Sequence, residues 1–93
     1  MHVFSALMEL RLQSRTLKEK RGIVKSVLAR ARNSFNVAAA EVGYQDLQGS
    51  ALLGFVTVSE GRGQGRRLLE QLEERVAGER PDLLLVSVEI EER

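Results

Sequence analysis

The sequence predicts an α+β domain with the element order β-α-β-β-α-β, and three observations predict it. Residues 3–12 alternate with period two, the signature of a strand with one buried face. Two stretches, 14–36 and 66–77, repeat their apolar residues at helical spacing. Three further apolar runs, 37–44, 51–59 and 83–90, are short enough for strands and are set off by Gly, Asn, Asp or Pro.

In the first strand Phe4, Ala6, Met8, Leu10 and Leu12 share one side, and Val3, Ser5, Leu7, Glu9 and Arg11 share the other. The first set is the more apolar and is expected to face the helices. The opposite facing would present Phe4 and Phe55 as the stacking aromatics of an RNA-recognition motif. It would also bury Ser5, Glu9 and Arg11, and unpaired buried charge is costly.

The first helix opens at Thr16, which has capping-box spacing to Glu19. Leu17, Val24, Val27, Leu28, Ala31 and Phe35 form its apolar stripe, and Asn33, Ser34 and Asn36 suit its exit. Gly22 interrupts the helix interior at a cost of up to ~1 kcal/mol relative to Ala. In the second strand Ala38, Ala40 and Val42 share a side opposite Val37, Ala39 and Glu41, and residues 45–50 carry hairpin-loop signals. The third strand, 51–59, is an almost continuous apolar run, as suits a central strand. A glycine-rich stretch, 60–65, precedes the second helix, Arg66 to Ala77, whose stripe is Leu68, Leu69, Leu72 and Val76. Gly78 suits its C-cap, and Pro81 prevents continuation. The last strand places Leu84, Val86, Val88 and Ile90 on one side.

This is the order of the ferredoxin-like split βαβ sandwich. Right-handed crossovers put both helices on one face of a four-stranded antiparallel sheet, with expected strand order 4-1-3-2. The other face stays open. Val3, Leu7, Leu83 and Leu85 are expected to gather there as an apolar patch that invites homodimerisation or another protein partner.

Ninety-three residues are expected to form one domain, residues 1–93. There is no Cys, which excludes disulfides, thiolate chemistry and Cys-based zinc sites, and the lone His2 leaves conventional Ser-His-Asp triads without material. No stretch reaches the ~18 apolar residues of a membrane span, and the first residues do not read as a signal peptide, so a cytoplasmic protein is expected. Net charge is +1, but residues 1–50 carry eight Lys/Arg against four Asp/Glu, and residues 51–93 carry six against nine. The molecule is therefore expected to be a charge dipole with a local basic patch.

That patch falls on the first helix. At about 100° per residue, Lys18, Arg21, Lys25 and Arg32 occupy a sector of about 60° beside the apolar stripe. Lys20 and Arg15 are expected as outer members. A charged helix flank is ordinarily solvated; its functional reading is a phosphate-facing surface for structured RNA or a ribosomal subunit. No catalytic, metal or cofactor constellation emerges, so an enzyme is not the expected class. Glu41, Tyr44, Gln45 and Asp46 read as hairpin polarity. The run Gly61-Arg62-Gly63-Gln64-Gly65-Arg66-Arg67-Leu68-Leu69 resembles the pyrophosphate-binding turn of acetyl-CoA-dependent N-acetyltransferases. Glu60 stands where that turn favours Arg or Gln. Acetyl-CoA or nucleotide binding at 61–67 is thus a third reading beside a plain strand-to-helix turn.

Taken together, Leu17-Lys18-Glu19-Lys20-Arg21, Val24-Lys25-Ser26, Arg32-Asn33, Phe35-Asn36-Val37, Ala40-Glu41-Val42, Gln45-Asp46-Leu47 and Val58-Ser59 resemble the YlxP-like family of small bacterial proteins of unknown function. The resemblance spans essentially the whole chain, and Leu-Lys-Glu-Lys-Arg is its most specific piece. It implies a ferredoxin-like fold. The family's genes often neighbour those of translation initiation and ribosome maturation, which implies an RNA- or ribosome-associated role by association alone. Gly22 departs from the family's usual basic residue and trims the basic face; the glycine-rich 61–65 departs as well.

Overall fold

A computed structural model describes residues 1–93. The elements are β1 (His2–Leu12), α1 (Leu17–Ser34), β2 (Ala38–Gly43), β3 (Ser50–Ser59), α2 (Arg62–Ala77) and β4 (Leu83–Glu92). The four strands make one antiparallel sheet in the order β2-β3-β1-β4, which is 4-1-3-2 read from the other edge. The fold is α+β and ferredoxin-like, as the element order predicts.

The period-two reading of β1 holds. Phe4, Ala6, Met8, Leu10 and Leu12 are buried with Ala51, Leu53 and Phe55 of β3, beneath Ile23, Val24, Val27, Leu28 and Ala31 of α1 and Leu69, Leu72 and Val76 of α2. The cross-strand pairs Ala6–Phe55 and Leu10–Ala51 each set a small residue against a large one, with the two large side chains of Met8–Leu53 between them. Phe4 and Phe55 are each 1% exposed, which removes any aromatic stacking platform from the open face. Thr57, also buried, donates to the Asn36 carbonyl at 2.7 Å and so ties the entry of β2 to β3.

Two bulges change the facing of side chains. In β4 the register steps from Glu9–Ser87 to Leu10–Leu85, leaving Val86 as the extra residue. A one-residue step moves every later side chain to the other face. Leu83 therefore lies in the core and Leu85 packs against it, correcting the expectation that both face outward with Val3 and Leu7. Leu84 and Val86 point outward instead, 64% and 43% exposed, and the predicted stripe Leu84-Val86-Val88-Ile90 is split, with Val88 and Ile90 packed against the core. In β2 the register steps from Glu41–Leu53 to Gly43–Leu52, making Val42 the extra residue. Tyr44 follows with φ 62°, in the left-handed region.

The second correction concerns the glycine-rich stretch. Gly61 is the N-cap and α2 begins at Arg62, so residues 62–65 are its first turn. The Gly61 N–H donates to Gln64 Oε1 at 3.4 Å, and Ser59 Oγ donates to the Gly61 carbonyl at 2.7 Å. Gly65 is buried, and a Cβ there would lie 2.6 Å from Phe4 Cδ2 and 2.7 Å from Ser59 Oγ. Glycine here lets the helix approach β1 closely.

Candidate functional site

The candidate site lies on the flank of α1 that its apolar stripe leaves outside. Thr16 is extended, and its Oγ1 accepts from the Glu19 N–H at 3.0 Å. That is half of the predicted capping box, enough to satisfy one orphan donor. Phe35 closes the helix, donating its N–H to the Ala31 carbonyl at 2.9 Å. With Ile23, Val24, Val27, Leu28 and Ala31 turned into the core, Lys18, Arg21, Lys25 and Arg32 are all exposed.

None of these four cations forms an ion pair. Lys18 and Arg32 stand about 21 Å apart along the axis at 1.5 Å rise per residue. Arg21, Lys25 and Arg32 line one shallow groove of about 380 Å³ between α1 and β2, together with Val24, Leu28 and Glu41. Lys18 lies outside that groove, nearer the helix start, and Arg15 is exposed just before the helix. Arg32 Nη2 donates to the Ala39 carbonyl at 2.8 Å. One arm of the guanidinium thus holds edge strand β2, while its remaining donors are free. A Cβ added at Gly22, on this exposed turn, would meet no atom within 4 Å, so packing does not require the glycine.

Lys20 is not an outer member of the basic patch. Its side chain is 0% exposed, and Nζ lies 3.2 Å from Glu41 Oε2. It also donates to the Tyr44 carbonyl and, at 3.4 Å, to the Gln45 carbonyl. Two carbonyls accept ammonium protons and the Glu41 carboxylate balances the charge, so the lysine fastens α1 to the hairpin just after the Val42 bulge. The signal was present in the phase: Lys20 stands three residues before Ile23 and seven before Val27, in the middle of the buried stripe. Glu41, read from the sequence as hairpin polarity, is its half-buried partner.

In the glycine-rich run, Gly65 is accounted for by close packing and Gly61 by its place at the helix cap, whereas a Cβ at Gly63 would meet no atom within 4 Å. No group of three or more His, Asp or Glu side chains that could hold a metal ion occurs. No helix is long and apolar enough to cross a membrane.

Other charged clusters lie away from the basic flank of α1. Arg80 forms a bidentate pair with Asp82, at 2.8 and 3.0 Å, and this hydrogen bonding holds the Asp82 carboxyl below its ordinary range. The His2 ring, hydrogen-bonded at 2.9 Å, and the Arg62 guanidinium at 3.0 Å hold Glu92 low in the same way. Groups with depressed folded pKa values stabilise above their unfolded pKa, near 4, and lose that contribution as pH falls through the lower folded value. Desolvation pushes Glu79 the other way, against the pull of Arg30, Arg75 and Arg80. Thermal melts of Asp82→Asn and Glu92→Gln should therefore fall less steeply than the parent below about pH 4; parallel curves would show that these pairs contribute nothing to folding.

A family model described as "Protein of unknown function (DUF503)" matches residues 3–90. The chain is 40% identical over 57 residues to the uncharacterized protein YlxP of Bacillus subtilis (strain 168). That match takes in 61% of this chain and 62% of the relative's length.

Proposed function

With this chain a member of the DUF503 family, the family of YlxP-like proteins whose function is unknown, we propose that it is a non-enzymatic protein that docks on structured RNA, a ribosomal subunit foremost, through the basic flank of α1. The observation that supports this reading is the set of four exposed cations, Lys18, Arg21, Lys25 and Arg32, without a carboxylate partner on one helix flank. Cations held in a row on a rigid element contact phosphates and set orientation without reading sequence. The groove behind Arg21, Lys25 and Arg32 adds shape, as recognition of folded RNA requires. Net charge of only +1 leaves little for non-specific attraction, so binding is confined to this flank.

Co-sedimentation of the purified protein with ribosomal subunits at low and moderate salt tests the proposal. Four phosphate contacts give a log–log salt slope between about −3 and −4. The triple variant Lys18→Glu, Arg21→Glu, Lys25→Glu should lose binding while keeping its circular dichroism and melting profile, since all three side chains are exposed. Equal binding by the variant and the parent would overturn the proposal.

A further inference from the structure

The open face of the sheet carries no covering element. Leu7, Val42, Val56 and Val58 are 38%, 52%, 42% and 50% exposed there. Register places Val3, Leu7, Val56 and Val58 of β1 and β3 on that face, with Ala38 and Ala40 of β2 beside them. Between Leu7, Val42 and Val56 the small residues Ala38, Ala40 and Gly54 leave a groove of about 380 Å³. Gly54 keeps its floor low: a Cβ there would lie 3.1 Å from Val42 Cγ1. Charge stands at two edges of this face: Glu89 and Glu91 of β4 with Arg93 just after it, Arg93 being paired to Glu91 at 3.3 Å, and Glu9 and Arg11 at the far end of β1. Contiguous exposed apolar surface rimmed by polar groups marks an interaction site.

We propose that this face is covered by a second copy of the same chain, in a two-fold dimer that packs sheet on sheet. Three observations select that occupant. The first is area: strands of 10 to 11 residues in β1, β3 and β4 and four strand spacings give a face of about 33 by 19 Å, or roughly 600 Å². Two such faces remove about 1,200 Å² in total, the lower end of specific association. The second is self-complementarity. A two-fold axis running across the strands lays β2 and β3 of one copy on the same strands of the other. The apolar half then meets itself, the side chains flanking each groove face the groove opposite, and the charged β4 border falls at the rim. The third is the chemistry of the border and the face. Glu89 and Glu91 repel an anionic lipid surface, and with Phe4 and Phe55 buried on the other side the face offers no aromatic to stack a base. In such a dimer both α1 flanks point outward on opposite sides, so the sheet interface and the basic flank operate independently.

Sedimentation equilibrium over a wide concentration range tests this. The parent should move from 10.4 kDa towards twice that mass as concentration rises. Val56→Glu places a carboxylate at the centre of the patch, and Ala40→Lys fills the groove; both positions are exposed, so the monomer fold survives. Each should weaken the dimer at least tenfold, while Arg21→Glu on α1 leaves it unchanged. A parent that stays at the monomer mass throughout overturns the proposal. So does a dimer that persists in both patch variants, which would place the contact elsewhere. Flotation of a monomeric parent with phosphatidylcholine vesicles, lost in Val56→Glu, would instead assign the face to lipid.

Discussion

Lys20→Met should destabilise the fold by about 2–3 kcal/mol, read from urea unfolding at neutral pH. Methionine keeps the unbranched apolar stem that the core surrounds but removes the ammonium. Glu41 Oε2, a buried carboxylate oxygen that has no hydrogen-bond partner, then loses the ammonium 3.2 Å away that balances its charge, and the Tyr44 and Gln45 carbonyls lose their donor. Breaking a fully buried pair from one side costs about 3–5 kcal/mol. Glu41 is 18% exposed, so water screens part of the orphaned charge and the lower range applies. Removing both charges, in Lys20→Met with Glu41→Gln, should recover roughly half of the loss, because no uncompensated carboxylate remains. Amide exchange should quicken first at residues 43–47, where Lys20 holds the left-handed turn at Tyr44. A single variant within about 0.5 kcal/mol of the parent, the range of an ordinary surface substitution, would show that the ammonium contributes nothing to the fold.

The same lysine marks where sequence and structure part. Period-two alternation in β1, the Thr16 cap, most of both helical stripes and the central place of β3 were legible because each depends on local spacing and on burial of one face; in α1 the stripe also takes in Ile23, and Leu17 lies outside the core. The strand order followed from the handedness of two crossovers. Three things were not legible, each for a physical reason. Lys20 sits between Glu19 and Arg21 and reads by composition as solvated, although its phase along the helix is that of a core position. The bulges at Val42 and Val86 have no marker in alternation alone, yet the one at Val86 exchanges Leu84 for Leu85 between the two faces. The start of α2 was hidden because Gly61, Gly63 and Gly65 are poor helix formers, and only the nearness of the Phe4 ring explains a glycine in the first helical turn. The four flank cations were legible from helical phase, and their freedom from carboxylates emerges only with the fold.

Gly65→Ala and Gly63→Ala should shift stability in opposite directions, although both lie in the first turn of α2. At Gly63 nothing lies within 4 Å of an added Cβ, so alanine gains helix propensity and loses unfolded-chain freedom, stabilising by up to ~1 kcal/mol. At Gly65 the same methyl would sit 2.6 Å from Phe4 Cδ2, 3.0 Å from Phe4 Cε2 and 2.7 Å from Ser59 Oγ. The ring has little room to yield: Phe4 is 1% exposed and the Arg66 guanidinium stands 5.7 Å from its centroid. Ser59 Oγ in turn holds the Gly61 carbonyl at the helix cap. Overpacking of this kind costs about 1–3 kcal/mol, more than the propensity gained, so Gly65→Ala should lower the urea midpoint by an amount corresponding to roughly 1–2 kcal/mol. Gly65→Val, with two further methyl groups aimed at the same ring, should fall further or fail to fold. The pair separates a packing role from an anion-binding one. If the glycines served to bring backbone to a phosphate, both alanines would impair ligand binding and neither sign would depend on Phe4. A Gly65→Ala that melts at or above the parent would show that the helix can lift from β1 without loss, and that the close approach of α2 to Phe4 is incidental to the fold.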